Sequence, residues 1–199
     1  MYEEMAFTFI LISASAFFLG ALPFSLWIGY LAVCKDIRCY GDGNPGAANV
    51  FRAGSPRAGM AAVLLDIFKG IPVVYLAARD QRFSENQLLF VAFAAILGHA
   101  FSPLLRFRGG KAVAVTFGAL IGLMRFELLI PFALGAIVGL ILFENHSWVV
   151  LCAPVITLTH ALLNGAAGGV LVFVSGIMLL FIFKHARELA LWPRPRKWL

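Results

Sequence analysis

Two short runs carry most of the polar chemistry of this chain. The first, Tyr40–Arg52 (YGDGNPGAANVFR), gathers three glycines, a proline, two asparagines, one carboxylate and one guanidinium into thirteen positions. Glycine and proline weaken helices and strands alike, so the run reads as a loop. A loop lined by backbone N–H groups, the Asn44 and Asn49 amides and the Arg52 guanidinium suits an anionic oxygen. The second, Gly98–Lys111 (GHAFSPLLRFRGGK), supplies His99, then Arg106 and Arg108, and ends on Gly109, Gly110 and Lys111. Its glycine pair allows close backbone approach, and the lysine adds a point charge beside it. Together the runs suggest a site for phosphate or acyl-phosphate at a membrane face, although either alone could be a plain connector.

The chemistry follows from the residue types. Acyl-phosphate is already activated, so a protein acting on it needs mainly orientation and charge neutralisation. Arg52 and Lys111 would neutralise phosphate oxygens, Arg52 with two parallel hydrogen bonds. Asn44 and Asn49, with glycine N–H groups such as that of Gly43, would hold a leaving phosphate or a developing oxyanion. His99 is either the base for an acceptor hydroxyl or a donor that fixes its loop. No Ser-His-Asp order and no HxxxxD box occurs, which argues against a covalent acyl-enzyme. A P-loop is excluded too, since no glycine stands five residues before Gly110-Lys111.

The elements that must position these residues are membrane helices. The chain of 199 residues is 61% hydrophobic and 13% charged, with a mean hydropathy of +0.90. That length has room for about seven spans of roughly 20 residues and for little else. The apolar runs are continuous and lack the period-two alternation of a barrel, so an all-α polytopic membrane protein with seven transmembrane helices is predicted, as a single domain over residues 1–199. The predicted spans are Ala6–Val33, Ala58–Ala78, Asn86–Leu105, Ala112–Met124, Leu128–Phe143, Trp148–Leu163 and Val170–Phe183. Pro23 should kink the first, where Ser25 is expected to bond back to its own helix. Asp66 and Lys69 lie three apart in the second and share a face. They are either a self-neutralising pair or a support beneath the first loop.

Lysine and arginine collect in alternate connections. One set holds Lys35, Arg38, Arg52, Arg57, Arg106, Arg108, Lys111 and the basic tail; the other holds Arg79, Arg82 and Arg125. The bias places the N-terminus outside and the C-terminus in the cytoplasm, with both runs on the cytoplasmic face. Topology thus accounts for the net charge of +6 better than nucleic-acid binding does. Cys34, Cys39 and Cys152 match no zinc or redox spacing and are expected to be small free residues. Trp192 and Trp198, among arginines and lysines, read as an interfacial anchor, and His160 as a structural residue bonded to Thr157 or a neighbouring helix.

GALPFSLWIG, YGDGNPGAANVFRAG, LLDIFKG and GHAFSPLLRFRGGKAVA, in that order and spacing, resemble the bacterial membrane glycerol-3-phosphate acyltransferases that use acyl-phosphate, the PlsY family. The resemblance covers the first two-thirds of the chain well and the last third loosely. It implies a seven-helix protein of the bacterial inner membrane whose cytoplasmic loops form one active site. The reaction it implies is acyl transfer from acyl-phosphate to the 1-hydroxyl of glycerol 3-phosphate, giving lysophosphatidic acid, with no cofactor, no metal and no obligate protein partner. Carried onto this sequence, the catalytic positions are His99 and Asn44. The substrate-binding positions are Asp42, Gly43, Asn49, Arg52, Gly109, Gly110, Lys111, Ser147 and His185. Asp42 stands where the family has a serine, and would repel an acyl-phosphate oxygen where a hydroxyl would donate to it. Ala112 follows the GGK run where a glycine is usual. Glu188 stands where an asparagine is expected, and no Gly-x-Glu follows it. Two other readings share the same residues: a small-anion transporter, and a non-catalytic or other-acceptor homologue that binds phosphate headgroups.

Overall fold

The computed structural model describes residues 2–196, and among them the chain is helical with no β-strand. Helices satisfy every backbone group within one segment, which hydrocarbon surroundings require. In order they are α1 (Tyr2–Gly20), α2 (Phe24–Val33), α3 (Ala47–Arg52), α4 (Pro56–Phe68), α5 (Pro72–Arg79), α6 (Glu85–Ala100), α7 (Val113–Gly122), α8 (Phe126–Leu142), α9 (His146–Leu163) and α10 (Gly168–Leu189). Among the described residues, five helical segments are long and apolar enough to cross a membrane: Glu3–Val33, Pro56–Arg79, Glu85–Leu105, His146–Leu163 and Gly168–Leu189. The predicted fourth and fifth spans are the shorter apolar helices α7 and α8.

Two of these segments each join two α-helices across a break. Pro23 lacks an N–H and ends the helical ladder between α1 and α2, as its position predicts. The carbonyls exposed there are taken by distant side chains: Ser102 Oγ donates to Ala21 O at 2.6 Å, and Lys69 Nζ donates to Leu22 O at 2.7 Å. The second segment, predicted as one helix, breaks between Phe68 and Pro72. Gly70 and Pro72 disfavour continuation, and Pro72 restarts α5 in its first turn.

The chain forms two compact units, Met1–Met124 and Arg125–Leu199. In the first, α1 packs on α6 and α4 on α2 and α7. The α1–α6 approach is so close that a Cβ on Gly98 would lie 2.0 Å from Phe17 O. Ala62, Ala92, Ala95 and Ala119 fill this interior, while Phe7, Leu11, Leu31, Leu64, Leu76 and Phe90 face outward. Small residues within and large apolar ones outside are what a lipid solvent favours. In the second unit α9 packs against α8 and α10. Its tail returns to the α8–α9 connection, where Glu144 N donates to Arg194 O at 2.9 Å and Arg196 N to Leu142 O at 3.0 Å. Trp192, half of the predicted anchor, is exposed; Lys197 and Trp198 lie outside the described residues.

Candidate active site

The first run, expected as a loop throughout, is a loop to Gly46 and then helix α3; its turn is shaped by Gly41 and Gly43, both in the left-handed region at φ +56° and +72°. A Cβ on Gly41 would take a positive φ and would press on Arg52 Nη1 at 2.5 Å and Asn49 Oδ1 at 2.6 Å, so glycine suits the turn that closes over α3. Between the two glycines, Asp42 meets three donors, with the Arg52 guanidinium nearby. Its Oδ2 is 2.6 Å from Lys111 Nζ, and its Oδ1 accepts from Asn49 Nδ2 at 3.0 Å and from Asn44 N at 3.2 Å. Arg52 Nη1 stands 3.8 Å from Oδ1 and donates to Asn49 Oδ1 at 2.7 Å. Asn49 also donates to Asn44 O at 2.9 Å, which fixes its amide between the loop and α3. Burial pushes the Asp42 carboxyl up. The Lys111 ammonium, the Asn44 N–H and the Asn49 amide outweigh that and hold it well below the usual carboxylate range.

Lys111 arrives from the second run, which doubles back beneath α6. After Pro103–Leu105 the chain takes Arg106 and Phe107 through positive φ, and Gly110 N then donates to His99 O at 3.0 Å. A Cβ on Gly109 would lie 2.0 Å from His99 O, and one on Gly110 2.1 Å from His99 Nε2. The glycine pair is therefore demanded by contact with α6, and His99 is the surface it rests on. Arg106 and Arg108 are exposed.

A buried polar cluster lies under both loops. Ser25 Oγ donates to Asp66 Oδ2 at 2.5 Å, Lys69 Nζ pairs with Asp66 Oδ1 at 2.8 Å, and His99 Nδ1 is 4.0 Å from that oxygen. Ser25 thus bonds across to α4 and not back to its own helix. A carboxylate is a stronger acceptor than a helical carbonyl already in use. The two sequence readings of Asp66 and Lys69 merge, since they neutralise each other and also border a small cavity with Pro45 and Gly110, one from each loop. Its free volume, about 10 Å³, matches roughly one water. Sequence reasoning found Asp66 and Lys69 from charge at membrane depth but missed their link to Ser25 and His99, which no local pattern encodes.

The remaining two predicted site residues meet in the second unit. Ser147 Oγ donates to the Glu188 carboxylate and lies 3.0 Å from His185 Nδ1; Glu188 Oε2 is 3.5 Å from the same nitrogen. Serine and acid approach one ring nitrogen together, so the trio cannot relay a proton from hydroxyl through ring to acid. Glu188, read from sequence only as a departure from a motif, is the partner of both. His160 is exposed and lies beside Asn164, with their side-chain nitrogens 3.4 Å apart, and Thr157 bonds Ala153 O instead. The three cysteines are free, Cys34 and Cys39 being exposed.

Residues 10–191 match the family model described as glycerol-3-phosphate acyltransferase. The chain is 38% identical over 181 residues to the glycerol-3-phosphate acyltransferase of Aromatoleum aromaticum, covering 89% of each. It is 41% identical over 120 residues to that of Streptococcus mutans, covering 60% of this chain and 56% of the relative. Its fold is similar to a crystal structure of PlsY (YgiH), an integral membrane glycerol 3-phosphate acyltransferase, in the glycerol 3-phosphate form. The TM-score is 0.83, the identity 25%, and the coverage 92% of this chain and 90% of that one.

Proposed function

Since this chain belongs to the glycerol-3-phosphate acyltransferase family, we propose that it transfers an acyl group from acyl-phosphate to the 1-hydroxyl of glycerol 3-phosphate. The hydroxyl oxygen attacks the acyl carbonyl, the carbonyl–oxygen bond to phosphate breaks, and lysophosphatidic acid and inorganic phosphate leave. The observation that supports this best is the meeting of Lys111, Arg52, Asn49 and Asn44, from two separate runs, on the two oxygens of Asp42. Such a donor set neutralises and orients a phosphate, and it carries no nucleophile for a covalent intermediate.

Within this reading Arg52 and Lys111 hold phosphate oxygens, while Asn44, Asn49 and the N–H groups near Gly43 steady the departing charge. Gly109 and Gly110 bring Lys111 up against α6. The ring of His99 is buried beside Gly110, which favours its role in fixing the loop; the acceptor's own phosphate then takes the hydroxyl proton. Ser147 and His185 keep the substrate-ligand roles that the family resemblance implies. The lysine and arginine bias favours an inner-membrane protein with both motif loops facing the cytoplasm. Purified protein given palmitoyl-phosphate should release phosphate and form a lipid product only when glycerol 3-phosphate is added. Absence of release with every polyol phosphate tried would remove the proposal, and product with another acceptor would move it to that acceptor.

A further inference from the structure

Asp42 gathers donors from both loops. Its oxygens receive the Lys111 ammonium at 2.6 Å, the Asn49 amide at 3.0 Å and the Asn44 N–H at 3.2 Å, with the Arg52 guanidinium at 3.8 Å. Two cations, an amide and a backbone N–H around one anion is the arrangement that would hold a phosphate. We propose that Asp42 is a displaceable internal ligand, a carboxylate that fills the phosphate position until a phosphate monoester drives it out. The inference rests on the acyl-phosphate reading above and gives that site a built-in competitor.

The backbone suits such an exchange. Asp42 lies between Gly41 and Gly43, the residues with the widest choice of backbone conformation, and its side chain is 27% exposed. The carboxylate therefore has open space to swing into, whereas Lys111 is held at 13% exposure on the α6 side. Charge drives the exchange in the same direction, because a phosphate monoester brings up to twice the charge and three terminal oxygens to the same donors. A role for Asp42 as the base that takes the acceptor's proton fits poorly. A carboxylate 2.6 Å from an ammonium keeps its charge and resists a proton.

Measured anion affinity is then reduced by the work of displacing Asp42. The test titrates inorganic phosphate into the full chain in neutral-lipid nanodiscs, for wild type, Asp42→Ser and Asp42→Asn. Both variants should bind phosphate about tenfold more tightly than wild type, and adding Lys111→Met to Asp42→Ser should remove the gain. Asp42→Asn keeps the side-chain shape, so it guards against a loop that merely misfolds. Repeating the titration with glycerol 3-phosphate, then with acyl-phosphate embedded in the nanodisc, separates a soluble from a lipid-borne phosphate by which one gains more. Equal or weaker phosphate binding in both variants overturns the internal-ligand proposal and leaves acyl transfer standing. No phosphate binding by any of the proteins overturns it together with the acyl-phosphate reading.

Discussion

Lys111 and Asp42 come from separate runs and meet at 2.6 Å, and their partnership can be tested one side chain at a time. Lys111→Met keeps the hydrocarbon stem and removes the charge. Under the proposed reaction it should lower kcat/KM at least about a hundredfold in a phosphate-release assay, the scale of a lost charge-assisted contact in the transition state. Asp42 also fixes an acid limb in stability. Its native carboxyl titrates below the ordinary value, so the pairing contributes fully above that value and is lost as pH falls through the depressed one. Thermal melts of detergent-solubilised protein should fall below about pH 4, and Asp42→Asn should flatten that fall; an unchanged slope would sink the assignment. Arg52, Lys111 and the glycines were legible in the sequence because their types announce anion chemistry. The pairing of Asp42 was not. A carboxylate among anion-binding residues reads as repulsion toward substrate until the facing lysine is located in space.

At the scale of elements, the membrane helices are drawn plainly by the apolar runs, and Pro23 announces the break between α1 and α2. What ties that break shut is non-local. Lys69, the C-cap of α4, donates to Leu22 O at 2.7 Å while pairing with Asp66, and both side chains are almost fully buried. Removing one member strands the other charge in a dry interior. Lys69→Met should therefore cost about 3–5 kcal/mol, seen as a lower midpoint of thermal unfolding in detergent. The double replacement Asp66→Asn with Lys69→Met should recover part of that loss, because it leaves no lone ion. A double variant as unstable as the sum of the two singles would argue that the pair matters for shape and not for charge. The break before Pro72 was signalled by Gly70 and Pro72 but missed, because the stretches on either side together have the length of one span.

For the whole molecule, membrane residence is written in composition, while orientation rests on where lysine and arginine fall. Cys39 is exposed beside the first loop, and Gln81 is exposed in the turn carrying Arg79 and Arg82. With the proposed topology, an impermeant maleimide should label Cys39 only from the cytoplasmic side and a Gln81→Cys variant, with native cysteines replaced, only from the outer side. The reverse pattern would invert the assignment. The length of α7 has a separate consequence. Ten residues, Val113–Gly122, make a rod of about 15 Å, half of a hydrocarbon layer about 30 Å thick. With Lys111 at the cytoplasmic face, α7 alone falls short of the opposite surface, so the layer around it must thin or the helix must end within hydrocarbon. Bilayer thickness then becomes a variable of the fold: thick membranes strain this corner of the protein and thin ones relieve it.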